Sequence, residues 1–97
     1  MPKGYWVTDM DIHDHAAYDR YKSKNGVAFA EFGGRFVVRG GQQTIIEGSA
    51  RARTVVIEFP SYQAALDCYH SDAYKVAMAE RVGASTGDLI IVEGYDA

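Results

Sequence analysis

Cysteine is nearly missing: Cys68 stands alone among 97 residues, which excludes an internal disulfide and any cysteine-rich zinc site. Long apolar runs are missing too, and none approaches the roughly 20 residues that a membrane-spanning helix needs. The opening MPKGYWVTDMDI has one lysine and no apolar core of the kind a signal peptide carries, so export is not expected and a cytoplasmic location is. Positive charge is also scarce. Ten Lys and Arg face 13 Asp and Glu, a net charge of −3, and no helical segment concentrates basic residues. A phosphate polymer finds no basic surface here, so neither nucleic acid nor a membrane is an expected partner.

What is present is the patterning of a packed domain. The composition, 47% hydrophobic and 24% charged, is ordinary for one domain spanning residues 1–97. A chain of this length buries a little over roughly 60% of its unfolded surface, a modest core that a partner subunit would supplement. From Tyr5 to Ile12 the sequence alternates, with Trp6, Thr8, Met10 and Ile12 on one face and Tyr5, Val7, Asp9 and Asp11 on the other, which predicts a strand. Asp14 is placed to cap a helix whose apolar positions Tyr18, Tyr21, Ala28, Phe29 and Phe32 recur at helical spacing, with an irregularity expected at Asn25-Gly26 and a stop at Gly33-Gly34. Arg35 to Arg39 reads as a second strand. TIIE and a polar turn through Gly48-Ser49 lead from it into a third, RTVVIEF. Pro60-Ser61 opens a second helix with one stripe through Tyr62, Ala65, Leu66 and Tyr69 and, after a break near Ser71, another through Tyr74, Ala77 and Met78. Gly83 ends it, and DLIIVEG forms a fourth strand.

The order β-α-β-β-α-β, with right-handed crossovers, gives an α+β ferredoxin-like sandwich: a four-stranded antiparallel sheet with two helices on one face. The opposite face of such a sheet reads polar when it faces water. Here Val37, Val56 and most of strand four make it substantially apolar, and a second copy of the chain is the expected cover. A homodimer is therefore predicted.

The stretch GGRFVVRGG places two arginines between glycine pairs. It has neither the lysine and hydroxyl of a phosphate loop nor the GxGxxG of a dinucleotide turn, so it reads as a strand between a helix cap and a backbone bend. Strand alternation sends Arg35 and Arg39 to the face away from the helices, where each needs a carboxylate partner or an anionic ligand. Glu58 and Asp9 have the parity to serve as those partners, and Tyr5 shares their face. Interface salt bridges and a ligand site both fit this pattern.

GGRFVVRGG, EGSARARTVVIEFPS from Glu47 to Ser61, ALDCYHSDAY and DLIIVEG together resemble the family labelled domain of unknown function thirteen-thirty, in the dimeric α/β-barrel superfamily. The resemblance covers essentially the whole chain. It implies the ferredoxin-like fold and the pairing of two sheets into a barrel, but no established activity. Across that superfamily it points to cofactor-free monooxygenases, lactone isomerases, haem-degrading enzymes and ligand-sensing modules. This chain has no sheet histidine to hold haem and no helix-turn-helix extension.

Individual residues add less. His13 and His15 flank Asp14 at a strand-to-helix turn and read as solvated, so no metal is expected; nor is a cofactor. His70, at the break between helical stripes, is a candidate titrating group at a pocket mouth. Cys68 reads as inert packing. The ligand-binding candidates are therefore Arg39, Arg35, Glu58, Asp9, Tyr5 and His70. The expected function is binding of a small anionic or carbonyl-bearing metabolite, in the cleft between sheet and helices or inside the barrel. Three readings stay open: a cofactor-free enzyme, a non-catalytic ligand-binding or stress-response module, and a structural dimer with no ligand.

Overall fold

A computed structural model describes residues 1–96. The chain runs β1 (Gly4–Ile12), α1 (His15–Glu31), β2 (Arg35–Arg39), β3 (Arg53–Phe59), α2 (Tyr62–His70), α3 (Asp72–Arg81) and β4 (Ser85–Glu93). The four strands form one antiparallel sheet in the order β2-β3-β1-β4, the arrangement the sequence order predicts. Among the described residues, no helix is long and apolar enough to cross a membrane.

Local chemistry accounts for the boundaries. Asp14 caps α1 by accepting a hydrogen bond from the Ala17 amide at 3.1 Å, and Gly33, at φ +75°, ends the helix in a left-handed turn that favours glycine. The helix runs unbroken through Asn25-Gly26, contrary to the expected irregularity; Asn25 is buried in the packed stripe. The second helical segment is split into two helices by Ser71. Its hydroxyl donates to the Cys68 carbonyl at 2.6 Å and accepts from the Tyr74 amide at 3.1 Å, so one side chain closes α2 and caps α3. The sheet side thus carries three helices, not the two expected. β4 begins three residues earlier than the apolar run suggests, because its pairing with β1 extends to Ser85 opposite Ile12. Residues 40–52 connect β2 to β3 and are exposed except at the half-buried Arg51.

The core lies between the sheet and the helices and is built on Trp6. Its ring meets Phe29 and Tyr74 edge-on at centroid distances of 5.1 and 4.8 Å, and its indole N–H donates to the Ala65 carbonyl at 2.8 Å. Cys68 is fully buried in the same cluster. Burial, with a smaller contribution from the charge of Glu31, pushes its thiol up to about 12. A thiol held protonated and enclosed is a poor nucleophile, so native protein is expected to leave Cys68 unlabelled by a thiol reagent, with full labelling only in denaturant. Rapid labelling of native protein would contradict the packing.

Candidate functional site

β2 does not keep its alternation. Arg35 pairs with Glu58 and Phe36 with Ile57, but Val38 pairs with Val56 and Arg39 with Val55, which leaves Val37 as an extra residue in a β-bulge. One inserted residue reverses the facing of everything after it. Val38 therefore shares the outer face with Val56. Arg39 joins the helix-facing row of Val55, and its guanidinium lies over the Phe36 ring at 4.1 Å. The expectation that Arg39 points away from the helices, toward Glu58 or Asp9, is corrected by this bulge.

The six candidate residues accordingly fall into three places. Arg35, Glu58 and Tyr5 form a closed cluster on the outer face. The Arg35 Nε donates to Glu58 at 3.0 Å, the Tyr5 hydroxyl donates to the other carboxylate oxygen at 3.1 Å, and the Lys3 ammonium lies 3.5 Å away. Asp9, also on that face, accepts two bonds from the Arg51 amide at 3.0 and 3.1 Å. His70 lies at the end of α2 beside an apolar groove formed with Tyr62, Leu66, Tyr69 and Leu89. Arg39 stands apart from all of these. The structure thus assigns Arg35 and Glu58 to an ion pair within one chain.

That pair has a pH signature. The hydrogen bond from Arg35 is the main influence holding the Glu58 carboxyl below its ordinary value, with the Tyr5 bond assisting and partial desolvation opposing. A group depressed in the folded state contributes stability that is present above the unfolded carboxylate range, about 4.3, and is lost as pH falls through the lower folded value. The stability gap between wild type and Glu58→Gln is therefore expected to narrow as pH drops below about 5. Denaturant midpoints at several pH values check this, and a gap independent of pH would contradict it.

On the helix side, Arg39 and Arg53 line a cleft with Tyr18, Tyr21, Lys22 and Asn25, floored by the aromatic core. Arg53 comes from β3, in register with the buried Val55, Ile57 and Phe59, and its guanidinium lies 5.9 Å from the Tyr18 ring centre. Gly40, at φ +65°, makes room for it: a β-carbon there would run into the Arg53 guanidinium. Among the described residues, neither Arg39 nor Arg53 has a carboxylate within salt-bridge distance. Two buried polar atoms here also lack partners, the Arg53 Nε and the Asn25 Oδ1. The cleft interior has about 20 Å³ of free space. At Met10 and Arg53 it meets an open hollow of about 360 Å³ bordered by Asp11, His15 and Gly40.

Tyr21 connects this cleft to a polar network. Its hydroxyl lies 2.9 Å from that of Tyr74, to which the Arg81 Nε donates at 3.3 Å. Desolvation, followed by the neighbouring Tyr74, raises the Tyr21 phenol far above its ordinary value, so it stays protonated and acts as a hydrogen-bond donor. Sequence reasoning missed Asn25, Arg53, Lys22 and this network. For Arg53 the signal was available in its parity with Val55 and Ile57, and for Asn25 in its place on the stripe of Tyr18, Tyr21, Ala28 and Phe29. No group of three or more metal-ligating side chains occurs among the described residues. His13 instead hydrogen-bonds Thr86 at 2.7 Å.

The sequence matches the family described as Domain of unknown function (DUF1330) over residues 3–95. The chain belongs to that family. No curated protein matches it. Among solved structures it is similar to a Rhodopseudomonas palustris protein of unknown function, at TM-score 0.77 and 18% identity over 99% of this chain and 85% of that one. It is also similar to SnoaB, a cofactor-independent oxygenase from Streptomyces nogalater, at TM-score 0.64 and 13% identity over 100% and 97% of the two chains. A Bacillus halodurans protein of the ethyl tert-butyl ether d (ethd) family matches at TM-score 0.58 and 13% identity over 98% and 100%. At these identities the likeness is one of fold, and function must be argued from the site.

Proposed function

We propose that the protein binds a small anionic or carbonyl-bearing metabolite in the helix-side cleft, with Arg39 and Arg53 holding its negative charge. The observation that carries this reading is the pair of guanidiniums beside one cleft without a carboxylate. Arginine at such a position is a ready partner for carboxylate or phosphate oxygens. Melting curves of wild type and Arg39→Ala, with and without small carboxylates and phosphates, test it. An anion is expected to raise the wild-type melting temperature, and Arg39→Ala to abolish that rise while changing the ligand-free protein little. A large loss of stability in ligand-free Arg39→Ala, with no wild-type response to any anion, would overturn it.

A cofactor-free enzyme is the second reading, favoured by the Tyr21–Tyr74–Arg81 network and by the fold shared with SnoaB. With Arg81 donating to Tyr74, the Tyr74 proton can go to Tyr21 and the Tyr21 proton to the cleft. A donor so placed stabilises an oxyanion developing on a bound carbonyl. Turnover against a panel of enolisable carboxylates separates an enzyme from a simple binder.

The same proposal includes a homodimer formed through the outer sheet face, in a cytoplasmic setting. Val38, Val56, Val7 and Ile90 lie side by side across all four strands, and Ile90 is 57% exposed. A matching face from a second copy would cover this row. Val56→Asp places a carboxylate in it, at a cost on the order of 3 kcal/mol of association, about a hundredfold in Kd. Sedimentation is expected to show a dimer for wild type and monomers for the variant at micromolar concentration. A wild-type monomer, or an unchanged mass for the variant, would contradict the dimer.

A further inference from the structure

The buried polar atoms of the cleft carry more specific information than its two guanidinium charges. Asn25 is 5% exposed and occupies a stripe position on α1 where an apolar residue would bury without penalty. Its Oδ1 is enclosed and, among the described residues, has no hydrogen-bond donor. A buried acceptor left unpaired costs about 1–3 kcal/mol. The Arg53 Nε–H in the same cleft is the complementary case, a buried donor with no acceptor. One atom calls for a donor and the other for an acceptor.

Size restricts what can meet both. The free interior space is about 20 Å³, room for a single group the size of a hydroxyl or a water. A bulkier or charged group has to stay outside that space, on the side where the cleft borders the open hollow at Arg53; Arg39, which also lines the cleft, is exposed and reachable from solvent. From Asn25 and Arg53, each with an unmatched buried polar atom in a cleft admitting one hydroxyl, we propose that the ligand is a small hydroxycarboxylate whose hydroxyl donates to Asn25 while its carboxylate accepts from Arg53 and Arg39. This rests on the anion-binding reading above and adds the ligand class. Asn25 is then the residue that selects hydroxy acids over their deoxy counterparts. The selection is strong in principle, because a deoxy ligand leaves the Asn25 acceptor unpaired in the dry interior.

Matched pairs of acids test this by calorimetric titration of the full-length protein. Glycolate, 3-hydroxypropionate and 4-hydroxybutyrate are each compared with acetate, propionate and butyrate, so the ladder also reads the distance between the two groups. At one spacing the hydroxy acid is expected to bind at least about tenfold more tightly than its deoxy twin. Asn25→Leu is expected to remove that preference, leaving deoxy-acid affinity and its dependence on Arg39 unchanged, and to melt no lower than wild type without ligand. If Asn25→Leu does not fold, Asn25→Ala gives the same reading. Equal binding of hydroxy and deoxy acids at every spacing would mean that the inner space holds a water only, and would overturn the hydroxyl subsite while leaving the anion site intact. An undiminished preference in the Asn25 variant would also overturn it. Absence of carboxylate binding altogether would defeat the anion site and this inference with it.

Discussion

Trp6→Ala is expected to bring the protein close to unfolding at ordinary temperature. Trp6 is fully buried and lies within 6 Å, centre to centre, of Phe29, Phe59, Tyr69 and Tyr74. Truncating a large aromatic at such a position costs roughly 3–5 kcal/mol, against a total stability for small domains of about 5–15 kcal/mol. At about 4–8 °C per kcal/mol for a domain of this size, the melting temperature falls by 12 °C or more. Trp6→Phe separates packing from hydrogen bonding. It keeps a ring in place but removes the indole hydrogen bond to the Ala65 carbonyl, so it is expected to lose only about 1–3 kcal/mol. Urea denaturation of the three proteins checks the order, and a Trp6→Ala midpoint within error of wild type would contradict the core described here.

The double variant Arg39→Ala/Arg53→Ala is expected to have the opposite profile: little change in the empty protein and complete loss of response to anions. Among the described residues, neither arginine has a carboxylate within salt-bridge distance to strand. In wild type, a carboxylate at a hundred times its Kd stabilises by about 2.7 kcal/mol, roughly 10 °C or more for this size. In the double variant that shift is expected to vanish. Arg35→Ala is the control. It removes one of the groups that hold Glu58, and because Lys3 and Tyr5 remain it lowers the melting temperature slightly and leaves the anion response intact. Retention of the anion response in the double variant would place binding elsewhere.

The fold was legible because its signals are local and mutually consistent. Alternation through Trp6, Thr8 and Met10, the cap at Asp14, the helix start at Pro60-Ser61 and the stop at Gly33 each decide their own segment. Ser71 was legible only as a break, since its double capping role depends on where the Cys68 carbonyl and the Tyr74 amide come to lie. The site was harder to read. Its geometry turns on the bulge at Val37, where one unpaired residue carries Arg39 from the outer face to the helix side, and nothing in RFVVR marks which residue is skipped. Arg53 and Asn25 were within reach, because each is a polar residue at the period of a buried face. A polar residue that breaks an apolar stripe is a better pointer to a site than a charged residue on a face already expected to be polar.

The most direct measurement of the central claim is an NMR titration of the arginine Nε–Hε resonances with a small carboxylate that stabilises the protein. Arg39 and Arg53 are predicted to shift together along a saturable curve, while Arg35 and Arg51, held by Glu58 and Asp11, stay fixed. Saturable shifts at Arg35 or Arg51, with Arg39 and Arg53 unmoved, would contradict the assignment of the anion site to the helix-side cleft.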